Sequence, residues 1–402
     1  MNVPKLRFKE FTDEWIKIDL STCFEYFSTN SLSREQLSDH GIIKNIRYGD
    51  IHKKYGNVVD VENDVATYIK DTDQINKYEF CCENDIIFAD ASEDYDGIGK
   101  AIELINVNEK LVSGLHTIHA RDKKQFFSPL FKGYYFNTPI IHNQIRILAN
   151  GFKVFGISKD NINNLKVMLP SKQEQEKIAK LLSLLDKKIQ LQTKKIEALK
   201  LFKKGLFDIQ LKINGKESIM FDDFLDEVTE KSSIQNQYPV LSSTSKGLFL
   251  QSDYFNKQAS SENNVGYKIL KRNQLVLSPQ NLWMGNININ NIFDIVIVSP
   301  SYRVYNIDIK KMDLNYFNYW IKTPKALYSY LISSEQGASI VRRNLNIEMF
   351  NQISLKVPKL EKQHIIGNKI YQFNLKINFE EEKLKQLHKL KKALLQNGEM
   401  KS

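Results

Sequence analysis

The sequence predicts an α+β protein: two strand-rich domains in tandem, each followed by a long helix, with the two helices forming an antiparallel coiled coil. Three observations predict it. The chain resembles itself at an offset of 188 residues, the repeated segments carry apolar residues at coiled-coil spacing, and long stretches of alternating Val, Ile, Phe and Tyr precede them. The boundaries that follow are 1–169 and 213–357 for the strand-rich domains, and 170–212 and 358–402 for the helices. With 402 residues the chain is too long for one ordinary core, so a modular reading is the natural one.

The repeat aligns LPSKQEQEKIAKLLSLLDKKIQLQTKKIEALKLFKKGLF with VPKLEKQHIIGNKIYQFNLKINFEEEKLKQLHKLKKALL without a gap. Eleven residues between 156 and 208 are identical to those 188 later, among them Pro170, Gln175, Ile178, Lys203, Lys204 and Leu206. Ile178, Leu182, Leu185, Ile189, Gln192, Ile196, Leu199, Lys203 and Leu206 step by four and three, the seam of a coiled coil. Ile366, Ile370, Phe373, Ile377, Glu380, Leu384, Leu387, Lys391 and Leu394 repeat it. The polar interruptions also repeat, Gln192 with Glu380 and Lys203 with Lys391. Each helix opens after a proline, Pro170 or Pro358. A helix over 171–209 is about 58 Å long, and one apolar stripe of that length cannot bury itself, so the two helices are expected to pair antiparallel with Gln192 opposite Glu380.

The similarity continues upstream at drifting offsets. NDIIFADAS (84–92) resembles NQLVLSPQN (273–281), VSGLHTIH (112–119) resembles VSPSYRVY (298–305), FNTP (136–139) resembles IKTP (321–324), and NGFKVFGIS (150–158) resembles QGASIVRRNLN (336–346). Most of these read as strands bounded by turns, and the Asn-Gly and Gln-Gly pieces read as loops. The domains are therefore expected to be duplicates, not only the helices.

A formal net charge of +10 raises the prior for a polyanionic partner. The excess is local: residues 1–169 carry −3, 213–357 carry +2, and the helical segments +6 and +5. The N-terminal stretch lacks the apolar run of a signal peptide, and no run approaches a membrane span, so a cytoplasmic protein is expected. Cys23, Cys81 and Cys82 support neither a disulfide framework nor a zinc site.

The tandem layout resembles the specificity subunits of type I restriction-modification systems, the HsdS family. Its most specific piece is LPSKQEQEKIAKLLSLLDKKIQLQ, and the opening VPKLRFKEFTDEWIKIDL is of the kind members typically have. The second copy departs, with Lys362-Gln363 for Glu174-Gln175 and Asn374-Leu375 for Asp186-Lys187. The resemblance implies that each variable domain is a target recognition domain reading half of a bipartite site in double-stranded DNA. It implies that the helices act as a ruler and dock two methyltransferase (M) subunits, joined by restriction/translocase (R) subunits. The chain itself would be non-catalytic, with S-adenosylmethionine, ATP and magnesium held by the partner subunits.

Enzymatic readings fail on the residues. Gly99-Lys100 invites a phosphate loop, but Asp94 replaces its first glycine and Ala101 its Ser/Thr, so a strand-linking turn is expected. His116 and His119 lack a third ligand at metal spacing. No glycine-rich methyl-donor loop with an N-P-P-[YF]-type element, no acidic pair with E-x-K on strands, and no Ser-His-Asp set can be nominated.

For DNA contact the first domain offers IRYGDIHKKYG (46–56), expected to be a loop turned by Gly49 and Gly56, with Arg47, Tyr48, His52, Lys53 and Lys54 as candidates; Lys153 in the Asn-Gly loop is another. The second domain offers Arg342 and Arg343 after the Gly337 loop, Ser243 and Lys246 in a polar turn, and Gln280 and Asn281, whose amides can pair with adenine. Trp283 fits core and DNA-facing roles equally. The rival reading, a coiled-coil adaptor without a nucleic-acid role, accounts for the helices but not for duplicated domains with basic and amide-bearing loops.

Overall fold

The computed structural model describes residues 7–75, 77–151, 153–214, 217–254, 263–336 and 343–396. The chain divides into two compact units, one formed by the chain up to Thr193 together with the chain from Glu382 onward, the other by Lys194–Glu381. Each unit thus takes one strand-rich segment and a part of each long helix.

In the first unit a five-stranded sheet runs in the order Phe24–Phe27, Thr117–Asp122, Ile86–Ala89, Ala101–Ile105, Val58–Asp60, antiparallel except for the last pair. A smaller sheet holds Leu111–Ser113, Lys44–Ile46, Tyr68–Ile69 and Leu37–Ser38. The strand Ile86–Ala89 is buried at every position, as expected of a central strand covered on both faces. On one face Phe24 stacks on Phe127 at 5.7 Å, and Phe136 meets Phe88 edge-on at 5.2 Å.

One buried ion pair locks the short helix Phe131–Tyr135 to this sheet. Lys132 Nζ lies 2.8 Å from Glu103 Oε1, and both side chains are almost wholly buried. The Glu103 carboxylate also accepts the N–H groups of Leu130 and Gly133. A Cβ on Gly133 would stand 2.2 Å from the Asn57 carbonyl oxygen, so only glycine lets the helix approach this closely. Elsewhere in the unit, buried Asp85 accepts from both His119 Nε2 and the Arg121 guanidinium.

The second unit has a four-stranded sheet ordered Leu225–Val228, Arg303–Ile307, Leu275–Leu277, Ile287–Ile289, wholly antiparallel. Its strands follow the order of Phe24–Phe27, Thr117–Asp122, Ile86–Ala89 and Ala101–Ile105. Outside the sheets, Ile16–Ile18 pairs with Val167–Leu169 in the first unit and Glu217–Met220 with Ser354–Val357 in the second. The FNTP and IKTP pieces open helices, Pro139–Leu148 and Pro324–Ile332, each with proline in its first turn.

The long helices span Lys172–Asn214 and Leu360–Gln396. Each starts on the same anchor. Gln175 donates to the Pro170 carbonyl and accepts from the Ser128 N–H, while Gln363 donates to Pro358 and accepts from Asp313. All eighteen seam positions selected by the periodicity are buried or half-buried.

The repeated lysines of the seam have a shared geometric cause. In the first unit Lys391 pairs with Asp186 at 2.5 Å and lies 5.7 Å from the Tyr134 ring centre. In the second, Lys203 donates to Asn374 Oδ1 at 2.6 Å and lies 5.6 Å from the Tyr319 ring centre. Asn374 stands 188 residues after Asp186, so the substitution that distinguishes the second copy exchanges a carboxylate for an amide and keeps the acceptor. Lysine is kept in the apolar seam because each ammonium finds an oxygen and an aromatic face there. Among the described residues no helix is long and apolar enough to cross a membrane.

Candidate nucleic-acid interface

The sheet order brings one loop to the rim of each unit. In the first it joins Ile86–Ala89 to Ala101–Ile105, and in the second it joins Leu275–Leu277 to Ile287–Ile289. The first carries exposed Glu93, Asp94, Tyr95 and Asp96, the second exposed Gln280 and half-buried Asn281. Carboxylates accept from cytosine amino groups and amides pair with adenine, so the two loops differ in the base edges they suit.

In the first unit residues 46–56 are not a loop: Tyr48–Lys53 form a helix with Gly49 inside it. Asp50 overrides the glycines, because its carboxylate accepts the Arg47 N–H and closes the first turn. The helix turns some candidates inward. Arg47 folds back to 3.9 Å from Asp50, and His52 Nε2 sits 3.0 Å from the Ala91 carbonyl, tying the helix to the rim loop. Tyr48 meets His52 and His116 edge-on, with ring centres 6.0 and 5.3 Å apart. Lys53 is exposed, and Lys54 is exposed while paired with Asp50 at 2.9 Å. Lys153 is exposed on the loop between Asn150 and Gly156.

That loop abuts the rim loop, since Phe155 pairs with Ser92 and its ring lies 4.9 Å from that of Tyr95. The Tyr95 hydroxyl donates to the Arg146 carbonyl, and the Arg146 guanidinium pairs with Asp96 at 2.9 Å. Gly99, with φ +70°, turns the chain into the next strand, and Lys100 donates to the Tyr55 carbonyl. This is the strand-linking turn that the incomplete phosphate-loop pattern suggested. His116 also has positive φ and faces Asp90 at 3.2 Å, so it lies in a turn before the strand that holds His119. Among the described residues no cluster of three or more His, Cys, Asp or Glu could hold a metal ion.

In the second unit three pieces converge. Arg343 N–H donates to the Gln280 carbonyl at 3.3 Å, joining the strand Arg343–Leu345 to the rim loop. Asn286, at the end of that loop, accepts from the Ser243 hydroxyl and donates to the Ser243 carbonyl. Lys322 donates to the Gly285 carbonyl at 2.9 Å.

This network corrects one candidate. Ser243 is buried, its hydroxyl shared between Asn286 and Asn288, so it braces the turn and does not reach outward. Arg343 is half-buried, with its Nη2 donating to the Ser334 carbonyl. Lys246, Gln280 and Asn281 remain at the surface or half-open to it, Trp283 is half-buried, and Arg342 lies outside the described residues.

Sequence reasoning missed the apolar rim. Ile147 and Ile332 occupy the same place after their Thr-Pro helix starts, and they are 81% and 52% exposed. Tyr95 stands exposed beside the first helix, and Met284 and Tyr328 are exposed in the second unit. The helical period alone could have found the isoleucines, which fall off the buried Ile141–Ile145 and Ala326–Tyr330 stripes.

Residues 12–201 match the family model for the type I restriction modification DNA specificity domain. The match spans 190 of the 402 residues, the first strand-rich segment and most of the first long helix. Among solved structures, the chain is similar in fold to the type I restriction-modification system S subunit from M. genitalium. The two are 12% identical, with a TM-score of 0.60 and 98% of each chain covered. A chain from a structure of complex assembly and conformational transition of the type I R-M system is 12% identical, with a TM-score of 0.53, covering 96% of this chain and 98% of that one. No curated protein sequence matches. The residues that match the family model include the first rim loop and the helix Tyr48–Lys53.

Proposed function

We propose that the chain reads a bipartite duplex DNA target, with one half-site taken by each strand-rich segment, 1–169 and 213–357, as tandem target recognition domains. The observation that carries this reading is the recurrence of one strand order with a rim loop at the same place in it, acidic in one unit and amide-bearing in the other. The segments 170–212 and 358–402 pair as an antiparallel coiled coil. This is supported within the units by Asp186 with Lys391, and by Lys195 with Glu380 and Lys203 with Asn374. The paired helices position two M subunits, and R subunits join the assembly. S-adenosylmethionine, ATP and magnesium act on those partners, and this chain contributes recognition without catalysis.

Exchanging residues 1–169 for the matching segment of a relative is expected to change one half of the methylated site and leave the other intact. Methylome sequencing of cells expressing the hybrid with its partners reads this directly, and a change in both halves would refute one reader per half-site. At finer scale, Gln280→Ala is expected to weaken duplex binding by about 1–3 kcal/mol with relaxed preference at a single base pair. Lys153→Ala is expected to weaken all sequences alike if its ammonium holds a phosphate. Equilibrium titrations on a panel of single-base variants of the target separate these patterns.

A further inference from the structure

The two lysine-rich parts of the repeat line equivalent grooves. In the second unit a cavity of about 230 Å³ is bordered by Lys200, Lys203, Lys204 and Lys322, with one acid, Asp208, whose carboxylate accepts the Tyr319 hydroxyl. In the first unit a cavity of about 260 Å³ is bordered by His388, Lys391 and Lys392 beside Asn137 and Pro139, and Gln396 stands where Asp208 would be. The correspondence is residue by residue at the offset of 188: Lys200 with His388, Lys203 with Lys391, Lys204 with Lys392 and Asp208 with Gln396.

Structural duties account for only part of this charge. Lys203 and Lys391 serve the seam, and Lys200 pairs with Glu381. Lys204 and Lys392 are exposed, and among the described residues neither forms an ion pair. Burial of its ammonium pushes Lys322 down to about 8, although much of the side chain meets solvent. Concentrating cations without matching acids costs folding energy, which an arriving anion recovers.

We propose that these grooves are paired phosphate-binding sites for the DNA backbone, one per unit, centred on Lys204 and Lys392. The proposal rests on the DNA reading above. Its second support is the contrast within the repeat. The rim loops that suit base edges differ between the units, whereas Lys203-Lys204 and Lys391-Lys392 are identical. A backbone contact has the same chemistry at both half-sites, and a base contact does not. Lysine suits this task, being a flexible point charge without the planar fork that reads a base edge.

The test uses the full chain carrying Lys204→Glu with Lys392→Glu, beside a Lys204→Arg with Lys392→Arg control, and a fluorescent duplex of random sequence titrated over a range of salt. The reversal variant is expected to bind about tenfold or more weaker near 0.15 M salt. The slope of log affinity against log salt should fall by about 0.9 for each phosphate that the variant no longer neutralises. The arginine variant should behave as the parent does. Unchanged thermal melting of both variants shows that folding is not the cause. A parent that binds duplex steeply with salt while the reversal variant matches it overturns the grooves and leaves the DNA reading standing. A parent that shows no salt-dependent binding overturns both. A reversal variant that binds DNA normally but no longer assembles with methyltransferase subunits also overturns the proposal, assigning the grooves to a protein partner.

Discussion

Lys132→Ala is expected to cost about 3–5 kcal/mol of stability, seen as a lower urea midpoint for the first unit, because it leaves the Glu103 carboxylate buried without its cation. The pH dependence has a definite sign. Burial raises the Glu103 carboxyl above its ordinary range even with Lys132 beside it. A carboxyl raised in the fold binds its proton more tightly there, so its contribution is most favourable below the unfolded value and is lost as pH rises through the folded one. Without the ammonium the folded value rises further, and the penalty grows from acid to neutral pH. Urea titrations at about pH 4 and about pH 8 are expected to give a smaller deficit at the lower pH. Equal deficits would mean that missing packing around the lysine stem, not the stranded charge, sets the effect. The double variant Lys132→Met with Glu103→Gln is expected to recover part of the stability, since both charges and their desolvation costs are removed while the amide oxygen can still accept from a backbone N–H of Leu130 or Gly133.

Four residues inserted after Gln192 are expected to lengthen the non-specific gap between the half-sites by about one to two base pairs while both half-site sequences stay the same. The insertion adds about 6 Å of helix, close to two base-pair rises, and turns the distal part roughly 40° beyond a full turn. Four residues nearly preserve an apolar stripe of period 3.5, so the pair survives as a local stutter. The polar seam contacts guard the register on either side, Asp186 with Lys391 and Lys203 with Asn374. Mapping methylated sites for parent and variant in one host measures the gap. An unchanged gap in an active variant would show that the helices do not measure distance.

The long helices and their seam were legible in the sequence because both are local properties. A period of four and three residues fixes which side chains share a stripe whatever the stripe packs against, and every seam position so chosen is buried or half-buried. The strands were legible for the same reason, through alternation and turn residues. The rim was much less so. Residues 46–56 looked like a glycine-turned loop, yet one capping carboxylate at Asp50 makes a helix of them and turns Arg47 and His52 inward.

What the sequence determined by itself is the repeat, its helical period, the lysine-rich segments and, with the family resemblance, the class of function. What tertiary structure alone decided is which polar groups face outward. Ser243 has the composition of a contact residue, but Asn286 and Asn288 claim it. Arg343 reaches Gln280 across more than sixty residues of chain, and the Tyr319 ring meets Lys203 across more than a hundred. Hydrogen-bond partners so far apart leave no period in the sequence. A polar side chain's role depends on whether the fold satisfies it internally or leaves it to water and a ligand.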